Sequence, residues 1–174
     1  MRHGMTFSVL VLVAMATMLF VAGINQAAAQ AITLEKGWRM QDVITADDVS
    51  VITGEKMQYF PEASASSKKG RPAAGFTVPE KEYSKIGFFA YVDFGEKEYE
   101  VHKQYAVEGT LEEVPAVGDK AYVFDLKNGS RAFVVLLGET VIRINWTAKT
   151  WEQFDRVEFG SKLANKLIEK MTKK

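Results

Sequence analysis

The side chains best suited to chemistry are one histidine and two acidic pairs. His102 is the only histidine besides His3. It lies between Glu100 and Gln104 on the polar side of a predicted strand. Nucleophilic catalysis needs an activated nucleophile beside its base, and no Gly-x-Ser-x-Gly motif supplies one. We therefore interpret His102 as an exposed strand residue rather than as a general base.

The acidic pairs are Asp47 with Asp48 and Glu112 with Glu113. Any two carboxylates can meet in a fold, so a small carboxylate-dependent hydrolase stays open as an alternative. Adjacent acids rarely converge on one metal ion, and the chain has no cysteine. No histidine pair, calcium-loop spacing or glycine-rich phosphate loop occurs. We predict no catalytic residue, no metal and no cofactor.

One basic cluster is a candidate for binding. Lys68, Lys69 and Arg71 lie in a segment rich in serine, alanine and lysine, 61–75, which we predict to be a flexible loop. Such a loop is usually solvated, but these three cations could also cover an anionic ligand or an acidic partner.

The segment 121–146 predicts three antiparallel strands joined by two tight turns. Asn128-Gly129 favours a two-residue type I′ turn, and Gly138-Glu139 favours type II′. Loops of two residues would pair Phe124 with Phe133, and Phe133 with Ile144. That register gathers the large apolar side chains on one face: Tyr122, Phe124, Leu126, Phe133, Val135, Leu137, Ile142 and Ile144.

The opposite face of these strands would carry smaller and more polar side chains. Asp125, Arg143 and Asn145 are its candidate binding residues, facing water or a partner.

Helices are predicted at both ends of the domain. Thr45 is a suitable N-cap for a short helix over 46–53, and Gly54 is its candidate C-cap. Thr150 opens a capping-box pattern before a C-terminal helical segment. Gly160 interrupts that segment, which predicts two short helices or one kinked helix.

Two further strands, 86–94 and 99–107, alternate apolar and polar residues and predict a second hairpin. The fold class is therefore α+β. We expect one antiparallel sheet of about five strands, with a short N-terminal helix and a C-terminal helix packed on one face.

Residues 1–29 are predicted to be a signal peptide. Arg2 and His3 precede an apolar run over 7–22, and the alanines at 27–29 fit a cleavage site. We expect cleavage after Ala29, with Ala31 as the second choice. An uncleaved N-terminal membrane anchor is the rival interpretation, although the run is shorter than the roughly 20 residues of a spanning helix.

The remaining residues, 30–174, would form a single domain in the periplasm or outside the cell, with no stable membrane insertion after cleavage. The chain has 22 basic and 22 acidic residues. This balance argues against a nucleic-acid partner, which would require a basic surface. The absence of cysteine also means that the domain would be held by its core alone.

Several short motifs are similar to those of small exported bacterial envelope domains, many of them lipoprotein-like. They are Thr-Ala-Asp-Asp-Val at 45–49 with Gly54 and Glu55, and Val-Gly-Asp-Lys-Ala-Tyr-Val at 117–123. The resemblance spans about 45–171 and lacks a lipobox cysteine. It implies an envelope location and no particular activity.

We therefore predict an exported, non-catalytic binding or interaction module of the bacterial cell envelope. Its partner would be an unknown envelope protein or a small ligand. Besides the hydrolase, a structural or stress-related envelope component is the remaining alternative.

Overall fold

The structure is a computed structural model that describes residues 38–61, 70–81 and 83–172. The predicted signal peptide, Lys68 and Lys69 lie outside the described residues. Within them, no helix combines the length and apolarity needed to cross a lipid bilayer. The described helices are α1 (Met40–Val43), α2 (Ala46–Thr53), α3 (Gly95–Val101) and α4 (Arg156–Thr172), with 3-10 helices at His102–Tyr105 and Ala148–Trp151.

One antiparallel sheet confirms the α+β class, but it has seven described strands instead of about five. Their order across the sheet is β1-β2-β3-β7-β6-β5-β4. The strands are β1 (Gln58–Tyr59), β2 (Ala73–Thr77), β3 (Lys85–Tyr91), β4 (Glu112–Glu113), β5 (Lys120–Asp125), β6 (Ser130–Leu137) and β7 (Thr140–Thr147). The β2 strand also shortens the predicted loop 61–75, because residues 73–75 are hydrogen-bonded to β3.

The N-terminal helix α2 has the predicted bounds because its caps are local. The Thr45 hydroxyl accepts a hydrogen bond from the Asp48 amide at 3.2 Å, and the Asp48 carboxylate accepts one from the Thr45 amide at 3.1 Å. At the other end Gly54 adopts a φ of 71°, which glycine tolerates without a Cβ clash. The Asp48 carboxylate also binds Lys170 of α4 at 3.0 Å, so this cap ties the two helices together.

The first face of the sheet, which carries Phe133, Val135, Ile142 and Ile144, packs against α1, α2 and α4. Helix α4 is unbroken, so the predicted interruption at its glycine is wrong. Gly160 instead permits a close approach, since a Cβ there would lie 2.2 Å from Cδ2 of the Phe133 ring.

The predicted start of this C-terminal helical segment is also wrong, because Thr150 lies in the 3-10 helix before α4. Asp155 caps α4 instead, accepting from the amides of Val157 at 3.0 Å and Glu158 at 2.9 Å.

The second face carries Tyr122, Phe124, Val134 and Arg143. The predicted register of the first hairpin, β5–β6, is wrong by one residue. Phe124 pairs with Ala132 and Val123 with Phe133. A type I′ turn needs positive φ at both central residues, whereas only Gly129 has it, at 77°. The loop therefore has three residues. As a result, the β5 side chains that were predicted on the first face lie on the second face, and those predicted on the second face lie on the first.

The second hairpin has the predicted register, with Leu137 paired to Thr140 and Phe133 paired to Ile144. The exchange in β5 moves Tyr122 and Phe124 away from α4. They enter a second buried cluster with Tyr99, Val134 and Val141.

The predicted strand 99–107 is wrong, because residues 99–105 are helical and Ala106 makes only an isolated bridge to Leu126. Helix α3 and the following 3-10 helix lie over the second face. Tyr99 packs against Tyr122 with ring centroids 4.7 Å apart, and the Tyr122 hydroxyl donates to the Tyr99 carbonyl. The sheet is thus covered on both sides, and this part of the second face does not meet water.

Candidate functional site

A groove of about 220 Å³ lies on the second face across β2, β3 and β7. Gly75 and Gly87 are paired across β2 and β3, and Asn145 of β7 pairs with Gly87. Neither glycine contributes a side chain, and the ring of Phe89 lies over Gly87, where a Cβ would be 2.9 Å from its Cε2. Phe60 and Phe89 supply aromatic walls. We call this depression the glycine groove.

The polar side chains that line the glycine groove are Lys85, Ser130, Asn145 and Thr147. The Lys85 ammonium lies 4.4 Å from the centre of the Phe60 ring, a distance at which a cation and a π-face attract each other. The groove therefore combines an apolar wall, a cation and an amide, the usual composition of a small binding site.

Arg143 borders the glycine groove, because it is paired with Phe89. Its Nε donates to Asn145 Oδ1 at 2.9 Å, and one terminal nitrogen lies 3.4 Å from His102 Nδ1. Its guanidinium also lies 5.6 Å from the centre of the Tyr105 ring. These contacts hold a half-exposed guanidinium in a defined orientation.

His102 is buried beneath this cluster, with 3% of its surface exposed, so its predicted exposure is wrong. Guanidinium can only donate, so Nδ1 is assigned as an acceptor and Nε2 as the protonated nitrogen. Nε2 has no hydrogen-bond partner among the described residues; the nearest carboxylate oxygen, on Glu98, is 3.7 Å away. Burial, then Arg143 and Arg71, lower the pKa of His102 to about 4, so the imidazole is neutral near pH 7.

This arrangement differs from a nucleophile and its base. The Nδ1 lone pair of His102 faces the Arg143 guanidinium, which donates a hydrogen bond but cannot act as a nucleophile. Tyr91, whose ring centroid is 4.9 Å from that of His102, is not activated either. Burial raises the pKa of Tyr91, whereas a phenolate nucleophile would need a lowered pKa.

Arg71 adds a second guanidinium to the same aromatic cluster. It lies 4.6 Å from the Phe94 ring centre and 5.4 Å from the Tyr91 ring centre. Three of the five described arginines form ion pairs with carboxylates, namely Arg39, Arg131 and Arg156. In the described ranges, neither Arg71 nor Arg143 has a carboxylate within 4.0 Å.

Of the predicted binding residues, the structure brings Arg143 and Asn145 into contact and sets Arg71 in the adjoining cluster. Asp125 is on the first face, where it meets Arg131 at 3.3 Å and Arg156 at 3.8 Å. Its prediction as a neighbour of the other two failed because the β5 faces are exchanged.

Four residues of the groove were not predicted from the sequence, namely Gly75, Gly87, Phe89 and Lys85. A signal for part of this set was present, since Gly87 interrupts an apolar alternation in a strand, and such a glycine often marks a close approach. No comparable local signal places Gly75 opposite Gly87, because that depends on the β2–β3 pairing.

The acidic pairs have structural contacts in the folded protein. Asp48 binds Lys170, and Glu112 binds Arg156 at 2.8 Å. Over residues 38–61, 70–81 and 83–172, no group of three or more His, Asp or Glu side chains could hold a metal ion.

Two larger grooves are lined by residues that already form ion pairs. One of about 470 Å³ lies between α2 and α4, where Lys166 meets Asp48 at 3.7 Å. Another of about 620 Å³ lies beside α3, where Lys103 meets Glu100 at 2.8 Å. The cations bordering the glycine groove form no ion pair within the described part of the chain, which makes this groove the stronger candidate.

Comparisons of this chain with protein-family models, with curated proteins and with solved structures find no match.

Proposed function

We propose that the protein is an exported, non-catalytic binding module of the bacterial envelope, and that it binds at the glycine groove. The observation that carries this proposal is the pairing of Gly75 with Gly87 beside Phe89. Two facing glycines add no side-chain packing of their own to a sheet, and the Phe89 ring lies over Gly87, where a Cβ would be 2.9 Å from its Cε2. The groove beside this ring has aromatic walls and cations without ion-pair partners among the described residues, which suits a ligand.

The size of the glycine groove favours a small occupant. Its volume of about 220 Å³ is below the roughly 300–1,000 Å³ of pockets that enclose drug-sized ligands. One amino-acid side chain or one small ring fits that space. The ligand is therefore a small molecule or the anchoring side chain of a partner protein.

The sequence at the N-terminus supports export. Arg2, the apolar run 7–22 and the alanines at 27–29 have the order of a signal peptide. The intact mass of the protein recovered from the periplasm should correspond to a chain that begins at Gln30. A full-length chain found only in the membrane fraction would instead favour an uncleaved anchor.

Photocrosslinking in the native envelope tests the binding site. We place p-benzoyl-phenylalanine at Phe89 in one variant and at Val51 in a matched control. Val51 is 85% exposed on α2, on the side of the sheet away from the groove. We expect a discrete crosslinked product from position 89 only. Identical products from both positions, or none from position 89, would contradict binding at the groove.

A further inference from the structure

We propose that the ligand of the glycine groove carries a carboxylate, which Arg143 binds end-on while a small apolar group occupies the groove. This inference rests on the proposed function and deepens it. It depends on three properties of the described residues: unpaired charge, a fixed guanidinium orientation and the distance from Arg143 to the groove.

The cations near the glycine groove are not balanced by carboxylates among the described residues. Arg71, Lys85 and Arg143 border one region of the second face, and none of them forms an ion pair with a described carboxylate. Arg131, on the first face of the same sheet, is paired with Asp125 at 3.3 Å. A region with three unpaired cations attracts an anionic group, because the interaction between charges strengthens where the protein excludes water.

The guanidinium of Arg143 is held in a fixed orientation. Guanidinium has five N–H donors. Asn145 takes the Nε donor, and His102 faces one terminal nitrogen. Three terminal N–H groups remain, distributed over both terminal nitrogens. Two parallel N–H groups match the two oxygens of a carboxylate, and the contacts with Asn145 and His102 fix the plane of the fork before the ligand arrives.

Arg143 lies close to the groove. Phe89 is directly paired with Arg143, and Gly87 with Asn145. The Phe89 ring lies over Gly87, so this wall of the groove begins one side-chain row away from Arg143. Alternate residues of a strand are about 7 Å apart. A ligand that spans this distance has its carboxylate within a few bonds of a ring or short branched chain. Phenylacetate has these dimensions, and so does a C-terminal phenylalanine of a polypeptide.

Titration of the isotope-labelled mature protein by NMR tests this inference. The probes are phenylacetate and its neutral isostere phenylacetamide, and the amides followed are those of Gly87 and Asn145, with Gly54 as a remote reference. We expect phenylacetate to shift the Gly87 and Asn145 signals at concentrations that leave Gly54 unchanged. Phenylacetamide should bind about tenfold more weakly or worse, because a charge-assisted hydrogen bond is lost.

Arginine variants locate the carboxylate. Arg143→Gln should weaken phenylacetate binding about tenfold, and Arg131→Gln, on the first face of the same sheet, should leave it unchanged. Because Arg143 is half-buried, its variant is checked by its unfolding midpoint. Arg71→Gln is the second variant, since Arg71 is exposed and its loss does not threaten folding. It should weaken binding by about threefold, as expected of a cation that assists without a direct contact.

A peptide ending in phenylalanine, with a free or an amidated C-terminus, distinguishes the two sources of the carboxylate. Tighter binding of the free-acid peptide than of phenylacetate would assign a polypeptide C-terminus, and weaker binding would assign a free small acid. Equal binding of phenylacetate and phenylacetamide, or tighter binding of phenyl phosphate, would overturn the carboxylate inference. So would unchanged binding in Arg143→Gln. Crosslinking at Phe89 decides the proposed function independently of these results.

Discussion

Acidification from pH 7 to pH 5 is expected to destabilise the protein through His102. The imidazole is 3% exposed and its pKa is lowered from 6.5 to about 4 by burial, then by Arg143 and Arg71. Glu98 of α3 is the acid beside it, at 3.7 Å, and the rings of Tyr91 and Tyr105 flank it. Folding therefore keeps this imidazole neutral at a pH where the unfolded chain binds a proton.

The sign and size of the effect follow from linkage. Between pH 6.5 and pH 4 the unfolded state binds more protons than the folded state, so the free energy of unfolding falls as the pH falls. Above pH 6.5 both states are neutral at this position and the effect vanishes. A pKa lowered from 6.5 to about 4 corresponds to a loss of about 2 kcal/mol between pH 7 and pH 5. Carboxylates with lowered pKa values, such as Asp48, lose their contribution only at lower pH, so this window isolates the histidine.

Denaturant unfolding at pH 7 and pH 5 measures this loss in the parent protein and in His102→Gln. Glutamine retains a hydrogen-bonding side chain but does not titrate. We expect the variant to lose less than half as much stability as the parent between the two pH values, whatever its stability at pH 7. An equal loss in both proteins, or an NMR titration that gives a folded-state pKa of His102 near 6.5, would refute the reasoning.

Two substitutions test the packing and capping of the helices. Gly160→Ala normally stabilises a helix by about 1 kcal/mol, but here the new Cβ would lie 2.2 Å from the buried Phe133 ring. We expect a net loss of about 1–3 kcal/mol in the free energy of unfolding, against little change for Asn165→Ala on the exposed side of the same helix; stabilisation by Gly160→Ala would disprove the close contact. Thr45→Ala removes the hydroxyl that accepts a hydrogen bond from the Asp48 amide at 3.2 Å. It should lower the free energy of unfolding by about 1 kcal/mol, measured by thermal or denaturant unfolding. An unchanged midpoint would show that the cap contributes nothing.

Local interactions made the N-terminal helix predictable. Thr45, Asp48 and Gly54 lie within one short segment, and each acts on backbone groups a few residues away. The register of the second hairpin was predictable for the same reason, because Gly138 has the positive φ that its turn requires. These features do not depend on how the rest of the chain folds.

The first hairpin shows where local reasoning stops. Asn128-Gly129 is compatible with a two-residue turn and with a three-residue loop that ends in a left-handed glycine. Hydrophobic alternation normally decides between such registers. It could not do so here, because Tyr122 and Val123 are both fully buried. A strand that is covered on both faces has apolar residues on both sides, so either register places apolar side chains in a core.

The cover on the second face was itself missed. Residues 99–107 alternate like a strand, yet Tyr99, His102 and Ala106 also recur at helical spacing. Tertiary packing favours the helix, because Tyr99 meets Tyr122 there. This error hid the position of His102 beneath Arg143, and an exposed strand histidine and a buried one imply different chemistry. Arg143 and Asn145 were found because two polar residues stand out in an otherwise apolar strand.

The two-residue strands at both edges of the sheet have a consequence for self-association. β4 consists only of Glu112 and Glu113, and β1 only of Gln58 and Tyr59. A second copy that paired with β1 or β4 could form only a few backbone hydrogen bonds with it. At β4 its own glutamates would also be repelled by Glu112 and Glu113. A broad, apolar sheet is an aggregation hazard when its edges are long and flat. This one ends at each side in a two-residue strand, which limits edge-to-edge pairing between copies.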